Sequence, residues 1–462
     1  MAEKELAEHR TDPGAGAVDQ QALDEVVRFT SELIRIDTSN AGDGSCRERP
    51  AAEYVAEQLT DVGIEPVLLE RTPGRTNVVA RIEGSDPSVD AMLVHGHLDV
   101  VPAEAADWQV HPFSGEVRDG VVWGRGAVDM KDMDAMMLAV VRQWARGGVR
   151  PRRDIVLAFT ADEEASAEDG SGFLADRHAA LFEGCTEGVS ESGAFTFHAG
   201  GGMRIYPIAA GERGTAWLKL TAHGRAGHGS KVNRDNAVSR LADAVSRIGA
   251  HDWPVRLTPT VRAALRELAA LHDLDIDPER ADFDVDALLA KLGPSAKLVE
   301  PTVRNSANPT MLAAGYKVNV IPGSAVAYVD GRVVPGGEAE FRTTMDELTG
   351  PDVAWDYQHR EVALQAPVDS PTFAAMRAAI ERFDPQGRTV PFCMSGGTDA
   401  KQFSRLGIVG YGFSPVKLPE GFDYQEMFHG VDERVPVEGL QFGVRVLDHF
   451  LRGVPGSGGA AV

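Results

Sequence analysis

The chain has 462 residues, of which 43% are apolar and 25% are charged. This composition is typical of a globular protein with a large buried core, and it excludes disordered and collagen-like chains. The net charge of −23 repels phosphate backbones and anionic bilayers, so neither nucleic acid nor a membrane surface is expected as a partner. At roughly 150 residues per domain, the length predicts two or three structural units.

The cysteines and the chain ends carry further expectations. Cys46, Cys185 and Cys393 have no CxxC spacing, so a disulfide scaffold and a zinc finger are not supported and a reducing cytoplasm is expected. The first residues lack the basic end and apolar run of a signal peptide, and no apolar stretch approaches the ~18 residues of a spanning helix. Residues 1–19 and 453–462 are predicted to be flexible tails.

Between residue 20 and about residue 211, helical and strand-like patterns alternate. The predicted elements are helices at 23–34 and 51–62, strands at 65–70, 77–82 and 91–94, a helix at 130–145 and a strand at 155–160. This alternation predicts an α/β fold whose sheet is covered by helices on both faces. Sites in such sheets form beyond the carboxyl ends of the strands.

The pattern changes near residue 211 and changes back near residue 371. The predicted elements are a strand at 215–222, a helix at 234–248, an acidic helical stretch to about 294, a strand at 325–333, a helix at 338–348, a strand at 353–361, and then a helix at 371–382, a strand at 408–413 and a helix at 438–451. The middle group favours a separate α+β unit. The simplest organisation is one α/β domain interrupted by a smaller domain.

The densest group of chemically active residues is LVHGHLDVV, which begins at residue 93. If the strand continues through it, His95, His97 and Asp99 share one face at the strand's carboxyl end. An imidazole beside a carboxylate is typical of a metal ligand that is oriented through its second nitrogen. A hydrogen-bonded pair in a loop is the alternative, and the period of two does not distinguish His95 from His97.

Other candidates lie at similar places along the chain. Asp129 follows the glycine-rich turn GRGAV, where it is either a ligand or a helix cap. Glu163 and Glu164 end the string TADEE after a predicted strand, where consecutive acids repel each other unless solvated or paired with cations. Glu191 in SES and His429 in FHG are weaker candidates. Together, these residues suit divalent ions with nitrogen and oxygen ligands.

Two metal ions about 3.5–4 Å apart need a bridging carboxylate. Of two adjacent glutamates, one can bind metal while the other takes a proton from water. The strings HGHLDVVP, GRGAVDMK, TADEE, SES and FHGVDERV occur in this order. The chain therefore resembles the dinuclear zinc metallopeptidases that include aminoacylase, carboxypeptidase G and the acetylornithine and succinyl-diaminopimelate deacylases. The resemblance extends from about residue 22 to residue 451.

The resemblance implies a fold and a set of site residues. It implies an α/β catalytic domain (20–211 and 365–452) with a mixed sheet sandwiched by helices, interrupted by an α+β lid and dimerisation domain (212–364). Two divalent ions, zinc or in its place cobalt or manganese, would be bound by His97, Asp129, Glu164, Glu191 and His429, with Asp129 bridging. Glu163 would be the general base and Asp99 the acid that orients His97. Glu187 is the alternative to Glu191.

Further implied residues would contact the substrate. His228 resembles the family's oxyanion-stabilising histidine, Asn319 and Arg332 resemble its carboxylate-binding groups, and the substrate loop corresponds to Ser395, Gly396, Gly397 and Thr398. Each also has an ordinary structural interpretation. His228 could be a turn residue, Asn319 a strand-end cap and Arg332 an exposed cation, and the loop could be a simple turn that caps the next helix.

The implied reaction is hydrolysis of an amide bond next to a free carboxylate, in a dipeptide or an N-acyl amino acid, by a metal-bridged hydroxide with Glu163 as the base. A lid-mediated homodimer is also implied. One alternative is a metal-free binding or scaffold protein of the same fold. Another is a two-metal phosphoesterase, which would need basic residues, yet only Arg125, Lys131 and Arg332 lie near the motifs. The sequence does not distinguish a peptidase from a deacylase.

Overall fold

The computed structural model describes residues 18–280, 282–422 and 424–456, so most of the predicted tails lie outside the described residues. The α-helices are α1 (Gln20–Arg35), α2 (Arg49–Thr60), α3 (Lys131–Gly147), α4 (Ser171–Arg177), α5 (Ala237–Gly249), α6 (Pro259–Leu271), α7 (Val285–Leu292), α8 (Glu338–Thr349), α9 (Pro371–Phe383), α10 (Ala400–Phe403) and α11 (Val437–Gly453). In the part of the chain that is described, no helix has the length and apolar character needed to cross a bilayer.

The strands are β1 (Val67–Glu70), β2 (Thr76–Ile82), β3 (Ala91–His97), β4 (Glu116–Arg118), β5 (Val121–Trp123), β6 (Ile155–Thr160), β7 (Cys185–Ser190), β8 (Phe197–His198), β9 (Arg204–Glu212), β10 (Gly214–His223), β11 (Gly227–His228), β12 (Ser306–Ala314), β13 (Val320–Ile321), β14 (Ser324–Val333), β15 (Val353–Arg360), β16 (Leu364–Gln365), β17 (Arg388–Met394), β18 (Val409–Gly412) and β19 (Arg434–Pro436).

The largest sheet is mixed, and it confirms the predicted α/β fold. Its order is β1-β2-β6-β3-β7-β18-β9-β16, with β17 and β8 also paired to β9. Strands β6, β3, β7 and β18 run parallel to one another, whereas β1, β2 and β16 pair in antiparallel fashion. All residues of β3 and β6 are buried because helices cover both faces of the sheet.

Alternation along the strands divides the core into two layers. Met92 and Val94 of β3 belong to the larger core cluster, in which α1, α3, α9 and α11 cover one face. Leu93 points to the opposite face and belongs to a smaller cluster with Phe182 and Phe403. The parallel strands β3, β6 and β7 therefore end at the same buried edge of a sheet that is closed on both sides.

A second, four-stranded sheet has the order β12-β14-β10-β15. Helices α5 and α8 pack on one of its faces, where Leu218, Leu220, Leu241 and Phe341 are buried. The chain enters this sheet from β9 into β10 and leaves it from β15 into β16. The boundaries at 211/212 and 364/365 stay a prediction.

Within the predicted unit 212–364, one segment packs on the large sheet instead of the small one. The apolar side of α6 is buried in a cluster with Val390 and Cys393 of β17. The Thr260 hydroxyl donates to the carbonyl oxygen of Ala210 in β9 at 3.1 Å. The acidic helical stretch up to about residue 294, called the acidic insertion from here on, therefore covers the β9–β17 side of the large sheet.

Candidate metal centre

The parallel strands bring the predicted ligands to one place. His97 is the last residue of β3, Glu163 and Glu164 follow β6, and Glu191 follows β7 directly. Two loops complete the group: Asp129 precedes α3, and His429 precedes β19. All of these except the fully buried His97 line one cavity of about 400 Å³.

Asp129 lies between the two histidines. Its Oδ1 is 3.2 Å from Nε2 of His97, and its Oδ2 is 3.3 Å from Nε2 of His429. His429 Nε2 is also 3.2 Å from Oε2 of Glu164, and His97 Nε2 is 3.8 Å from Oε1 of Glu191. Ligand atoms of His97, Asp129 and Glu164 lie within 4.8 Å of one another. A second such group is formed by His97, Glu163 and Glu191, so it includes the predicted base. The five predicted ligands therefore lie together, with Glu163 among them and with His429 joined through Asp129 and Glu164.

The electrostatics of this cluster fit divalent cations. Burial raises the pKa of Glu163, Glu164 and Glu191, and neighbouring carboxylates add to the shift. Burial opposes a positive charge on His97, but its hydrogen bond to Asp129 and the nearby acids raise its pKa above the usual range. One oxygen of Glu164, Oε1, is buried without a hydrogen-bond partner. Carboxylates and imidazoles crowded in this way are the ligand set of a divalent metal site.

Asp99 supports the cluster through two different groups. Its backbone carbonyl oxygen accepts a hydrogen bond from Nδ1 of His97 at 2.9 Å, whereas its carboxylate Oδ1 is 3.7 Å from that nitrogen. The carboxylate accepts the backbone N–H groups of Glu163 at 3.1 Å and Glu164 at 3.2 Å, and the side-chain amide of Asn40 at 2.8 Å. The carboxylate therefore holds the two glutamates, and the carbonyl orients the histidine.

Sequence reasoning missed the group that holds Asp129. Glu433 Oε1 accepts the backbone N–H groups of Val128 at 2.7 Å and Asp129 at 3.2 Å, and its Oε2 is 2.8 Å from Nη1 of Arg125. Glu433 is completely buried. Its place in FHGVDERV, four residues after His429, is the only local signal, because its partners lie about three hundred residues away in the chain.

Three other residues of these motifs have their partners outside the cluster. The ring of His95 lies 4.9 Å from that of Phe403, away from the cluster, and burial lowers its pKa to about 3. Glu187 accepts hydrogen bonds from Arg153 and Thr372, each at 2.8 Å. The first acid of TADEE, Asp162, pairs with Arg75 at 3.0 Å. Within the described part of the chain, the residues that line the cavity include none of these side chains.

The glycine-rich loop after β17 forms part of the cavity wall. Ser395, Gly396 and Gly397 line the cavity. Thr398 instead faces Glu212, which accepts its backbone N–H at 3.1 Å and its hydroxyl at 2.8 Å. The rest of the wall is mostly apolar and consists mainly of Phe195, Phe392, Met394 and Phe428. The sequence analysis missed these residues because they are scattered singly along the chain.

The three predicted residues of the smaller unit lie apart from this cavity. His228 and Asn319 are neighbours on the β11–β13 ribbon, where the Gly229 N–H donates to the Asn319 carbonyl oxygen at 2.9 Å. Exposed His228 accepts the N–H of Ser230 at Nδ1. Arg332 pairs with Asp330 at 2.7 Å. None of these three side chains is among the described residues that line the cavity.

The sequence is similar to those of known proteins. Residues 93–453 match the model of Peptidase family M20/M25/M40. The chain is 30% identical over 396 residues to the N-fatty-acyl-amino acid synthase/hydrolase PM20D1 of Homo sapiens, an alignment that covers 80% of this chain and 75% of that protein. It is 26% identical over 399 residues to aminoacylase-1 of Sus scrofa, covering 83% and 85% of the two chains.

The fold is also similar to solved structures. The M20 family metallo-carboxypeptidase Sso-CP2 from Sulfolobus solfataricus superposes with a TM-score of 0.69 at 18% identity, over 94% of this chain and 99% of that chain. The family model covers most of the chain, and the motif-based resemblance is confirmed. The protein is an enzyme of the peptidase family M20/M25/M40, a family of metal-dependent hydrolases.

Proposed function

We propose that this enzyme hydrolyses an amide bond, in a small peptide or an N-acyl amino acid, next to a free carboxylate of the substrate. The position of Asp129 supports this most directly, because its two carboxylate oxygens lie 3.2 and 3.3 Å from the Nε2 atoms of two different histidines. A carboxylate placed in this way suits the bridge between two divalent ions.

The cluster offers two halves for two ions, zinc or in its place cobalt or manganese. His97, Asp129 and Glu191 would hold one ion, and Asp129, Glu164 and His429 the other. When bound, such ions polarise the amide carbonyl and lower the pKa of water towards ~7. The absence of sulfur among these ligands is compatible with all three metals.

Glu163 is the proposed general base. It lines the cavity, and its carboxylate is 3.9 Å from His97 Nε2, close to the 3.8 Å of Glu191. Its role as the base, and not as a ligand, rests on the family resemblance. Burial raises its pKa. A carboxyl group tuned in this direction takes a proton from water and delivers it to the departing nitrogen. Asp99 fixes its backbone and thereby its position.

The smaller unit supplies the remaining proposed contacts when it closes over the cavity. His228 would donate a hydrogen bond to the developing oxyanion, a contribution typically worth about 10²–10³ in rate. Asn319 and Arg332 would bind the substrate carboxylate, with Arg332 exchanging Asp330 for the substrate. Ser395, Gly396 and Gly397 would contact the substrate from the opposite wall. Thr398 would position their loop through Glu212.

The same unit offers a surface for the proposed homodimer. Strand β12 is at the edge of the four-stranded sheet, and residues 308–319 are exposed. Met311 and Leu312 on this edge are 64% and 56% exposed. An exposed apolar edge strand is a template for pairing with another chain, so a second copy of this unit is its proposed partner.

Paired substitutions test the assignment of the two adjacent glutamates. Glu163→Gln should retain both metal ions but lose about 10²–10⁴ in turnover, because only the proton acceptor is removed. Glu164→Gln should lose metal, since it removes a ligand. Glu168→Gln, an exposed change in the same loop, is the matched control. Metal content and hydrolysis are measured on each protein after chelation and reconstitution with zinc. Equal metal loss in Glu163→Gln and Glu164→Gln contradicts the assignment.

A further inference from the structure

We infer that Lys401 is a positioning residue for the proposed reaction, and that it couples the placement of the substrate loop (residues 395–398) to the closing of the smaller unit. The inference rests on the proposed function, in which this unit closes over the cavity and Arg332 binds the substrate carboxylate. Lys401 is not among the described residues that line the cavity. It would therefore act through the groups that it holds, and not by touching the substrate.

The four-stranded sheet joins the large sheet directly through two neighbouring segments, residues 211–215 and 360–365, which we call the two connections. Strand β16 pairs with the end of β9, so the two connections lie side by side. The Glu361 N–H donates to the carbonyl oxygen of Thr215 at 2.9 Å. A movement of the four-stranded sheet relative to the large sheet would change the backbone at such element ends.

The ammonium group of Lys401 contacts both connections. Its Nζ is 3.1 Å from Oε2 of Glu361 and donates to the hydroxyl of Thr215 at 3.5 Å. The Thr215 hydroxyl in turn donates to the same Glu361 oxygen at 3.1 Å. The Lys401 side chain is 1% exposed, so the ion pair that compensates its charge is shielded from water. One buried cation on α10 thus joins the segment that enters the four-stranded sheet to the segment that leaves it.

The same side chain lies directly under the substrate loop. A Cβ placed on Gly397 would be 2.6 Å from Cε of Lys401 and closer still to its Nζ. The loop therefore needs glycine here, because the lysine fills the space that a side chain would occupy. Gly397 lines the cavity, so the cavity wall rests on the group that pairs with Glu361.

A second contact ties the loop to the first connection. Glu212 accepts both the backbone N–H and the hydroxyl of Thr398. Burial raises the pKa of Glu212 to about 7, although the charge of Lys401 and the two hydrogen bonds from Thr398 oppose this rise. The end of the loop is therefore held through Glu212 and its glycine through Lys401, and both contacts lead to the two connections.

The network also reaches the proposed carboxylate-binding residue. Nη1 of Arg332 donates to the Thr215 hydroxyl at 3.4 Å, the same hydroxyl that accepts from Lys401. When Arg332 leaves Asp330 for the substrate, its contact with Thr215 changes as well. The network thereby joins two proposed substrate contacts, the loop and Arg332, that lie on different sheets. Buried polar networks of this kind respond as a unit when one member is changed.

Kinetics of Lys401→Met are the first test. The zinc-loaded enzyme is assayed with dipeptides and N-acetyl amino acids, and the best substrate is used for every variant. We expect KM to rise at least about tenfold while zinc content is unchanged and kcat stays within about threefold, because fewer molecules adopt the closed state that binds substrate. Lys401→Arg keeps the charge and should restore most of the KM. Lys417→Met, which breaks an ion pair with Asp384 outside the two connections, is the matched control.

A wild-type KM in folded Lys401→Met overturns the inference and leaves the proposed function standing. If the wild-type enzyme hydrolyses no member of the panel, the proposed function fails instead.

The double variant Lys401→Met/Glu361→Gln separates positioning from stability. Removing both charges leaves no unpaired carboxylate, so the urea midpoint should recover at least about half of the loss caused by Lys401→Met. KM should stay elevated, since the link between the loop and the two connections is still absent. Recovery of KM together with the urea midpoint identifies a purely structural role and overturns the inference.

Amide hydrogen exchange tests the coupling without any substrate. Gly397→Ala places a methyl group against the ammonium of Lys401 and should displace it from Glu361. We expect amides of the two connections to exchange at least about tenfold faster in this variant, as in Lys401→Met. Gly396→Ala is the matched control, because a Cβ at Gly396 has no neighbour within 4 Å among the described residues. Faster exchange in Gly397→Ala that is confined to residues 395–398 refutes the coupling.

Discussion

Replacing Asp99 by asparagine separates the two supporting functions of this residue. The Asp99 backbone carbonyl would still accept the hydrogen bond from His97, because the substitution changes only the side chain. The new amide can still accept the Glu163 N–H, but its NH₂ group would face the Glu164 N–H and Asn40, which are donors. Each hydrogen bond to a charged acceptor contributes roughly 1.5–3 kcal/mol. Since two are lost and the turn relaxes partly, we expect the free energy of unfolding to fall by about 2–4 kcal/mol.

The functional consequence should be unequal between the two metal ions. Glu164 belongs to the His429 half of the cluster, so the ion in that half should be lost first, while the His97 half retains its ion. Because Glu163 is next to Glu164 in the loosened turn, we expect it to shift too, and a displacement of about 1 Å should lower turnover about 10²-fold. Metal stoichiometry, urea unfolding and hydrolysis are measured together, with the exposed change Asp107→Asn as the control. Loss of both ions in parallel, or wild-type stability and turnover, would refute this account of Asp99.

Three further predictions concern stability, pH and metal. Arg153→Ala should lower the free energy of unfolding by about 3–5 kcal/mol in urea titrations, because it leaves buried Glu187 without its cation, and kcat/KM of the folded enzyme should stay within about twofold. The second prediction concerns Glu361. Burial raises the pKa of its carboxyl group, but His359 and Lys401 outweigh this and lower the pKa from 4.5 to about 2. Its ion pair therefore stabilises the protein by about 3 kcal/mol above pH 4.5 and loses this contribution as the pH falls towards about 2. The stability difference between wild type and Glu361→Gln should vanish over that interval, and a constant difference would contradict it. Chelation should abolish hydrolysis and lower the Tm, and zinc at a hundred times its Kd should restore about 2.7 kcal/mol of stability. An unchanged Tm after verified metal removal would contradict this linkage.

The convergence of the candidate ligands could be predicted because it depends on local patterns. Apolar runs identified β3 and β6, and polar residues directly after buried strands indicated His97, Glu163 and Glu164. Parallel strands place such residues at one edge, so the motifs did not need to be close in sequence. Strand β7 was not identified, so Glu191 was a weak candidate until the family resemblance supported it. Mixed residues such as Thr186 and Glu187 interrupt the apolar run there.

Supporting contacts between distant segments could not be predicted in this way. Arg125 and Glu433 are 308 residues apart, and neither has a periodic pattern that indicates its partner. Helix α6 shows a similar limit, since an amphipathic pattern predicts a helix and a buried face but not which sheet that face covers. It covers β17, so the acidic insertion supports the cavity wall and not the four-stranded sheet.

The distribution of charge around the cluster links metal binding to folding. Asp99 and Glu433, the two buried acids that hold it, accept backbone N–H groups of Glu163, Glu164 and Asp129. These bonds place carboxylates side by side and so increase the repulsion among them. Among the described residues that line the cavity, neither Lys nor Arg compensates this charge. Without bound cations, the histidines and protonation of Glu163, Glu164 and Glu191, whose pKa values burial raises, relieve this charge. Bound cations would relieve the same charge without protonation. We therefore expect a substitution that loosens Asp99 or Glu433 to weaken metal binding even though neither side chain is a proposed ligand.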